Sequence, residues 1–431
     1  MNAPRSGRGR TDTAGRSSGT RGGPRSGRGR REPPPESLAT LIEQALQVVL
    51  RFAAPADVVL RRFFSAHKEM GRRDRGVLAE LVYDIIRNRR LYASLAQSGT
   101  GPMPARLIAL AEARASIDTA GLPLPVRLSL PDWLFDRLAQ RFDTAVLESL
   151  GRELLKPASL DLRVNPLRAD RDQALAALEA DGLQASASEL APLGIRVVGK
   201  PPLERSAAFT QGLVEVQDCG SQLIAHLVAP RRGQTVVDFC AGAGGKTLAL
   251  AGLLRGTGQV FACDVSAARL QRLRPRLVRS GATNVQPFGI DDENDPKLVR
   301  LAGRADAVLV DAPCSGTGTL RRNPDLKWRM HPDDIAELEL KQRSILEAAA
   351  RLVRVGGALV YATCSLLDEE NDAVRRWFEA GHPEWELEPA PAVLERQGVR
   401  LSPLLDPDCL VLRPDTHDTD AFYAVRWVRR A

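Results

Sequence analysis

From about residue 230 the chain alternates short β-rich runs with helical stretches, and this rhythm restricts the possible folds more than any other feature. The runs are Thr235 to Phe239, Gln259 to Asp264, Asn284 to Phe288, Ala307 to Asp311 and Gly357 to Thr363. Helical stretches separate them, which predicts a mainly parallel, doubly wound α/β sheet. Ligands of such sheets sit beyond the carboxyl ends of the strands, so chemistry is expected in the residues that follow each run.

The 431 residues are more than one domain usually holds. Residues 1–36 form a tail with nine arginines against Asp12, Glu32 and Glu36, so most of the net charge of +7 lies there and the body is close to neutral. Pro4 to Arg10 (PRSGRGR) recurs as Pro24 to Arg30 among Gly, Ser, Thr and Pro, with almost nothing apolar to bury. That composition predicts disorder, serving either salt-sensitive attraction to RNA phosphates or solubility alone. Residues 37–151 read as an all-helical domain, with Leu38, Ile42, Ala45, Val49 and Phe52 on one stripe and Leu78, Leu81, Val82, Ile85 and Ile86 on another. Arg72, Arg73, Arg75, Arg87, Arg89 and Arg90 flank the second stripe and suggest a basic patch facing RNA, with a plain solvated face as the alternative.

Residues 153–229 read as a small α/β adaptor, with an extended Leu160 to Val164, a helix from Arg171 to near Asp181, and an extended Ile195 to Val198. Residues 230–431 carry the doubly wound part. No apolar run is long enough to cross a bilayer. No charged-then-apolar segment opens the chain, and six cysteines are far too few for a disulfide framework. The expectation is a cytoplasmic protein with free thiols. No metal is expected either, because no cysteine pair has the C-x₂₋₄-C spacing.

The first run leads into Asp238-Phe-Cys240-Ala241-Gly242-Ala243-Gly244-Gly245-Lys246-Thr247, where glycines let a ligand approach the backbone. A phosphate-binding loop would need glycine five residues before Gly245, where Cys240 stands. A dinucleotide loop counted from Gly242 would need a third glycine where Thr247 stands. S-adenosylmethionine suits the loop better. Its cationic methionine end favours an acid nearby, supplied by Asp238, while Asp264 can accept hydrogen bonds from both ribose hydroxyls and Asp291 can meet the adenine edge. Each acid alone could be a helix cap or a turn residue, so the pattern lies in the three together.

The fourth run leads to Asp311-Ala-Pro-Cys314-Ser and the fifth to Thr363-Cys364-Ser365. Neighbouring strands would bring both thiols to one sheet edge, facing the methyl donor. The arrangement has a chemical use: C5 of cytosine is a poor nucleophile until a thiolate adds at C6, and a second group must then help remove the C5 proton and expel the sulfur. A thiol of ordinary pKa is mostly protonated at neutral pH, so a cationic pocket is needed, with Lys246 and Arg321 as its candidates. Cys219, Cys263 and Cys409 read as small buried apolar residues, and Cys240 as a backbone contact in the loop.

These residues resemble the RNA cytosine-C5 methyltransferase family, most closely its bacterial 16S ribosomal RNA branch. The likeness rests on Val216-Gln-Asp, FCAGAGGKT around the glycine loop, DAPCSGTGTLRRNPDLKW from Asp311 to Trp328, and ATCS at Ala362 to Ser365. It extends to Arg163-Val-Asn-Pro166, to Asp418-Thr-Asp-Ala-Phe-Tyr423, and to Leu130-Pro-Asp-Trp-Leu134, which looks like part of a NusB-type RNA-binding module. The resemblance implies a class I, Rossmann-like S-adenosylmethionine-dependent core behind a NusB-like helical domain. It implies that Cys364 attacks and Cys314 assists release, whereas DNA cytosine-C5 methyltransferases attack with the Pro-Cys cysteine. Cys240 to Lys246, Asp264, Asp291 and Asp311 would contact the donor, with Asp311 also near the cytosine. Two departures stand out: the loop reads Ala-Gly-Ala-Gly where many relatives have Ala-Ala-Pro-Gly, and Ala421 replaces a commoner glycine.

The expected product is 5-methylcytosine in 16S rRNA, made by a monomer that binds RNA and no membrane. Transfer RNA or another ribosomal site is the nearest alternative, and a non-catalytic RNA-binding or ribosome assembly factor the alternative of another class. With few aromatics, affinity should rest on backbone contacts rather than on a stacking platform. Pro275, inside the helical stretch after Asp264, should bend or break that helix.

Overall fold

The computed structural model describes residues 37–430, so the expectations for the Arg-rich tail lie outside the described residues. Eight α-helices fill Leu38–Val49 to Thr144–Leu154. Their apolar stripes are buried as the periodicity predicts: Ile42, Ala45, Val49, Leu78, Val82 and Ile86 share one cluster. A second cluster crosses out of the helices, packing Leu130, Leu134, Leu138, Leu147, Leu150 and Leu154 against Leu320, Ile335, Leu366 and Leu367. Among the described residues no helix is long and apolar enough to cross a membrane.

Next comes a small antiparallel sheet of β1 (Leu160–Val164), β2 (Ala185–Ala187), β3 (Gly194–Val197) and β4 (Val214–Val216), in the order β2-β3-β1-β4. The helix Arg171–Ala180 between β1 and β2 starts on a capping box in which Asp170 and Gln173 satisfy each other's backbone donors.

The large sheet contains β5 (Thr235–Asp238), β6 (Gln259–Asp264), β7 (Val285–Gly289), β8 (Ala305–Asp311) and β9 (Val353–Thr363). They match the five predicted runs, and all their mutual pairings are parallel. Three strands join at one edge: β10 (Trp385–Leu387) and β11 (Leu410–Leu412), each antiparallel to β12 (Phe422–Arg429), which is itself antiparallel to β9. The main path reads β10-β12-β9-β8-β5-β6-β7. Strand order therefore reverses between β5 and β8, which creates the crevice where such sheets bind ligands.

Two expectations need correction. The helix Ala267–Ser280 continues through Pro275, so the break does not occur. Pro275 and Gln271, whose carbonyl loses its donor, are both exposed, so water can supply the missing bond.

The arginines flanking the second stripe do not form an open basic patch. Arg87 is buried and donates to the Arg321 carbonyl at 2.9 Å, while Arg89 lies over both Phe52 and Trp328 at 5.0 Å. Arg90 pairs with Asp132, and Arg75 donates to the Met70 carbonyl. Of the six, Arg72 and Arg73 remain exposed with no such bond described. Arg75 and Arg90 are held by partners among the helices, whereas Arg87 and Arg89 meet the segment Leu326–Arg329, which inserts against them. There the Trp328 indole donates to the Ile86 carbonyl at 2.8 Å, Lys327 Nζ donates to the Arg87 carbonyl at 3.0 Å, and Asp325 accepts from the Ala56 amide at 3.2 Å.

Candidate active site

The glycine turn follows β5 and ends where the helix Gly245–Leu253 begins. Gly242 and Gly244 have φ of 56° and 84°, values that L side chains rarely adopt. A Cβ on Gly242 would meet nothing within 4 Å, which leaves this backbone approachable, whereas one on Gly244 would lie 2.2 Å from Leu273. Gly244 thus serves helix packing rather than the cavity wall.

The Asp264 carboxylate, buried at the end of β6, accepts from the amides of Gly242 at 2.8 Å and Ser266 at 2.7 Å. It links the turn to the next strand and lines the cavity. Asp238, expected to face a cationic ligand, does not line it. Its carboxylate accepts from Thr247 Oγ1 at 2.6 Å beneath the turn, and burial pushes its pKa up to about 7. A cavity-facing acid is instead supplied by Asp311, which accepts from Lys246 Nζ at 2.7 Å. Burial opposes the charge on Lys246, yet Asp311 prevails and holds the ammonium above its ordinary value.

The cavity is about 660 Å³ and opens at the crevice between β5 and β8. Its wall includes Cys240 to Ala243, Gly245, Lys246, Asp264, Asp311, Cys314 and Cys364 among the expected residues. Asp291 is not brought there. Its side chain is 91% exposed and stands 3.7 Å from Lys297. Two residues on, Glu293 reaches the wall and accepts from Ser344 Oγ at 2.6 Å and Lys341 Nζ at 2.5 Å. Burial works against its ionisation, but these two donors hold its pKa below the usual carboxylate value. Arg321 also fails as a thiol-activating cation. It points away, to Asp418 at 2.9 Å and the Pro157 carbonyl at 3.4 Å.

The two thiols meet. Asp311 and Ala362 are paired on the parallel strands β8 and β9, and the loops beyond them carry Cys314 Sγ to 3.4 Å from Cys364 Sγ. The hydrogen bond to Cys364, then burial, raises the Cys314 thiol well above its ordinary value. All six cysteines are free, and Cys219, Cys263 and Cys409 are fully buried as expected, although Cys219 Sγ meets Ser188 Oγ at 3.3 Å and Cys409 Sγ accepts from Arg375 at 3.1 Å. No group of His, Cys, Asp or Glu suited to holding a metal occurs among the described residues.

Several supporting residues were not foreseen. Arg163 on β1 donates to the Gly245 carbonyl at 2.9 Å and to Gln217, which lines the cavity. Arg276 donates to the Ala243 carbonyl at 2.6 Å and is anchored by the buried Glu215 on β4 at 2.8 Å. The small sheet is therefore part of the frame of the glycine turn. The sequence signals for this were the motifs Val216-Gln-Asp and Arg163-Val-Asn-Pro166, neither of which specified a contact with the turn.

Residues 225–427 match the family described as 16S rRNA methyltransferase RsmB/F, and residues 130–204 match the ferredoxin-like domain of RsmF/B-like methyltransferases. The chain is 38% identical over 274 residues to a Synechocystis protein named a probable ribosomal RNA small subunit methyltransferase B, covering 63% of this chain and 61% of that one. It is 36% identical over 299 residues to ribosomal RNA small subunit methyltransferase B of Sodalis glossinidius, covering 69% and 65%. The chain thus spans less than two-thirds of the length of these curated relatives. Among solved structures, that of PH0851 superposes with a TM-score of 0.76 and 26% identity over 92% of this chain and 100% of the other. The glycine turn, the paired thiols and both matched segments agree: the chain belongs to the RsmB/F family of S-adenosylmethionine-dependent methyltransferases.

Proposed function

We propose that this protein methylates C5 of a cytosine in RNA, and specifically in 16S rRNA, through a transient bond between Cys364 and C6. The observation that carries the reading is the 3.4 Å approach of two thiols on the wall of the cavity that also holds the glycine turn.

The residues present fit S-adenosylmethionine. Asp264 offers a carboxylate at the end of β6 for the ribose hydroxyls, Val265 and Ile290 give apolar walls, and the Gly242 backbone is open to close approach. When bound, the donor supplies an electrophilic methyl group. Cys364 adds as thiolate to C6, and the C5=C6 electron pair becomes the nucleophile at C5. Lys246 lines the same wall and brings a positive charge toward Cys364. The Cys314 proton is held firmly, which suits it to donate a hydrogen bond to the Cys364 sulfur as that sulfur attacks and again as it leaves. Once C5 carries both hydrogen and methyl, its proton passes to a base on the wall, with Asp311 the nearest carboxylate to the two cysteine loops in sequence. The double bond re-forms and the C6–sulfur bond breaks.

Reaching C6 requires an unstacked base, so the substrate is a single-stranded or opened RNA segment. We read residues 37–151 as a NusB-like RNA-binding domain, 153–229 as an RNA-binding adaptor and 230–431 as the catalytic domain of a cytoplasmic monomer. The test is to incubate the protein with ribosomal RNA and methyl-labelled donor, digest to nucleosides, and locate the product by bisulfite sequencing. Label in 5-methylcytidine of 16S rRNA is expected; label in any other nucleoside would refute the assignment.

A further inference from the structure

Behind the two thiols lies a carboxylate with no part in the reaction as described above. Glu370 is fully buried, and the donors that reach its side chain are all neutral. Its Oε1 accepts from the Ser315 amide at 2.7 Å and from Gln342 Nε2 at 3.0 Å. Its Oε2 accepts from Ser365 Oγ at 2.5 Å. Ser315 follows Cys314 and Ser365 follows Cys364, so one carboxylate grips both loops at the residue next to each sulfur. The grip is reinforced. Gln342 Nε2 also donates to the Pro313 carbonyl at 3.0 Å, and Tyr361 hydroxyl donates to the Glu370 carbonyl at 2.7 Å. The hydroxyls of Ser315 and Ser365 lie 3.1 Å apart.

A charge held this way in a dry interior acts strongly on its neighbours. Cys314 faces Cys364 at 3.4 Å, with Glu370 behind Ser315 and the Tyr361 hydroxyl close by, while Lys246, Asp311, Glu293 and Lys341 line the cavity around it. The hydrogen bond to Cys364 and burial raise the Cys314 thiol well above its ordinary value, and the Glu370 carboxylate adds to them.

Building on the proposed reaction, we infer that Glu370 is a positioning residue that ties the two cysteine loops together and sets a carboxylate behind Cys314, so that the two sulfurs do not react alike.

The test reads thiol reactivity in the full chain without RNA or donor, by iodoacetamide labelling and peptide mass spectrometry across pH 6.5 to 9.5. In the unmodified protein Cys364 should react at least about ten times faster than Cys314 at pH 8. Glu370→Gln keeps the shape and removes the charge, and should move the Cys314 profile to lower pH by about one unit, a tenfold gain at fixed pH. Ser365→Ala keeps the charge and cuts one tether, so it should lower methyl transfer with the Cys314 profile unmoved. Equal reactivity of the two thiols in the unmodified protein, or an unmoved Cys314 profile in folded Glu370→Gln, would overturn the inference. If Glu370→Gln does not fold, the unmodified protein and Ser365→Ala still decide it. The expected labelling order without any 5-methylcytidine product would instead refute the reaction and leave the positioning role standing.

Discussion

Lys246 Nζ donates to Asp311 Oδ2 at 2.7 Å, joining the first turn of the helix after the glycine turn to the strand end that leads to Cys314. The pair lets a buried ammonium keep its charge beside the thiols, since an unpaired one would lose it to desolvation. Lys246→Met should lower the methyl-transfer rate by roughly 10²–10³-fold and slow alkylation of Cys364 at pH 7. An unchanged alkylation rate would remove Lys246 from any role in activating that sulfur.

Cys364→Ala should abolish methyl transfer while binding the donor product S-adenosylhomocysteine as the unmodified protein does, because the sulfur bonds to RNA and not to the donor. Titration calorimetry and a tritiated-methyl assay read the two properties separately. Residual turnover at the unmodified rate would end the covalent reading.

Cys314→Ala removes the hydrogen-bond donor to the departing sulfur and should accumulate a protein–RNA adduct in the presence of methyl donor. A denaturing gel shows it as a shifted band that disappears in the double variant with Cys364→Ala. If no band forms, Cys314 has no part in release.

Gly244→Ala should cost roughly 2–4 kcal/mol, combining left-handed strain with the collision against Leu273. Gly242→Ala meets no neighbour and should cost only about 1–2 kcal/mol of strain. Urea unfolding of both variants gives the comparison; equal losses would contradict the packing role assigned to Gly244.

Burial, with Arg87 adding to it, pushes the Lys327 ammonium down to about 7. Between that value and about 10.4, the ordinary lysine value, the unfolded chain holds a proton that the folded one lacks. Unfolding then takes up a proton, so stability contributed at this site rises with pH across that window and is smallest below pH 7. Lys327→Met should flatten the rise, by up to about 1.4 kcal/mol per pH unit. Urea midpoints of both proteins at pH 6.5, 8 and 9.5 measure it, and parallel curves would refute the buried titration.

What could be read from the chain alone depended on how local its cause was. The five parallel strands, the glycine turn, Asp264 and the meeting of Cys314 with Cys364 follow from patterns that span a few residues and from the rule that strand ends gather function. Side-chain direction was not local in this sense. Asp238 ends its strand and Asp291 follows its own in the expected way, yet Thr247 claims the first and solvent the second, while Glu293 takes the place on the wall. The run Asp291-Asp-Glu-Asn-Asp295 offers several acids with nothing to choose between them. Arg321 and the arginines near residue 90 were misread because their partners, Asp418, Trp328 and Asp132, come from distant segments. Arg163 was noticed only as part of a motif, and Arg276 and Glu370 not at all, because each acts on the site through a carbonyl, an amide or a hydroxyl of a residue that its own neighbours do not identify.

The stretch that begins at Cys314 ends with Trp328 lodged among the helices, and Leu320 and Leu366 share their cluster with Leu134 and Leu150. A minimal enzyme therefore cannot be excised from this chain by starting after Leu154. The cut would strip the floor from beneath both reactive loops, so inactivity of such a fragment would report collapsed foundations rather than a lost hold on RNA.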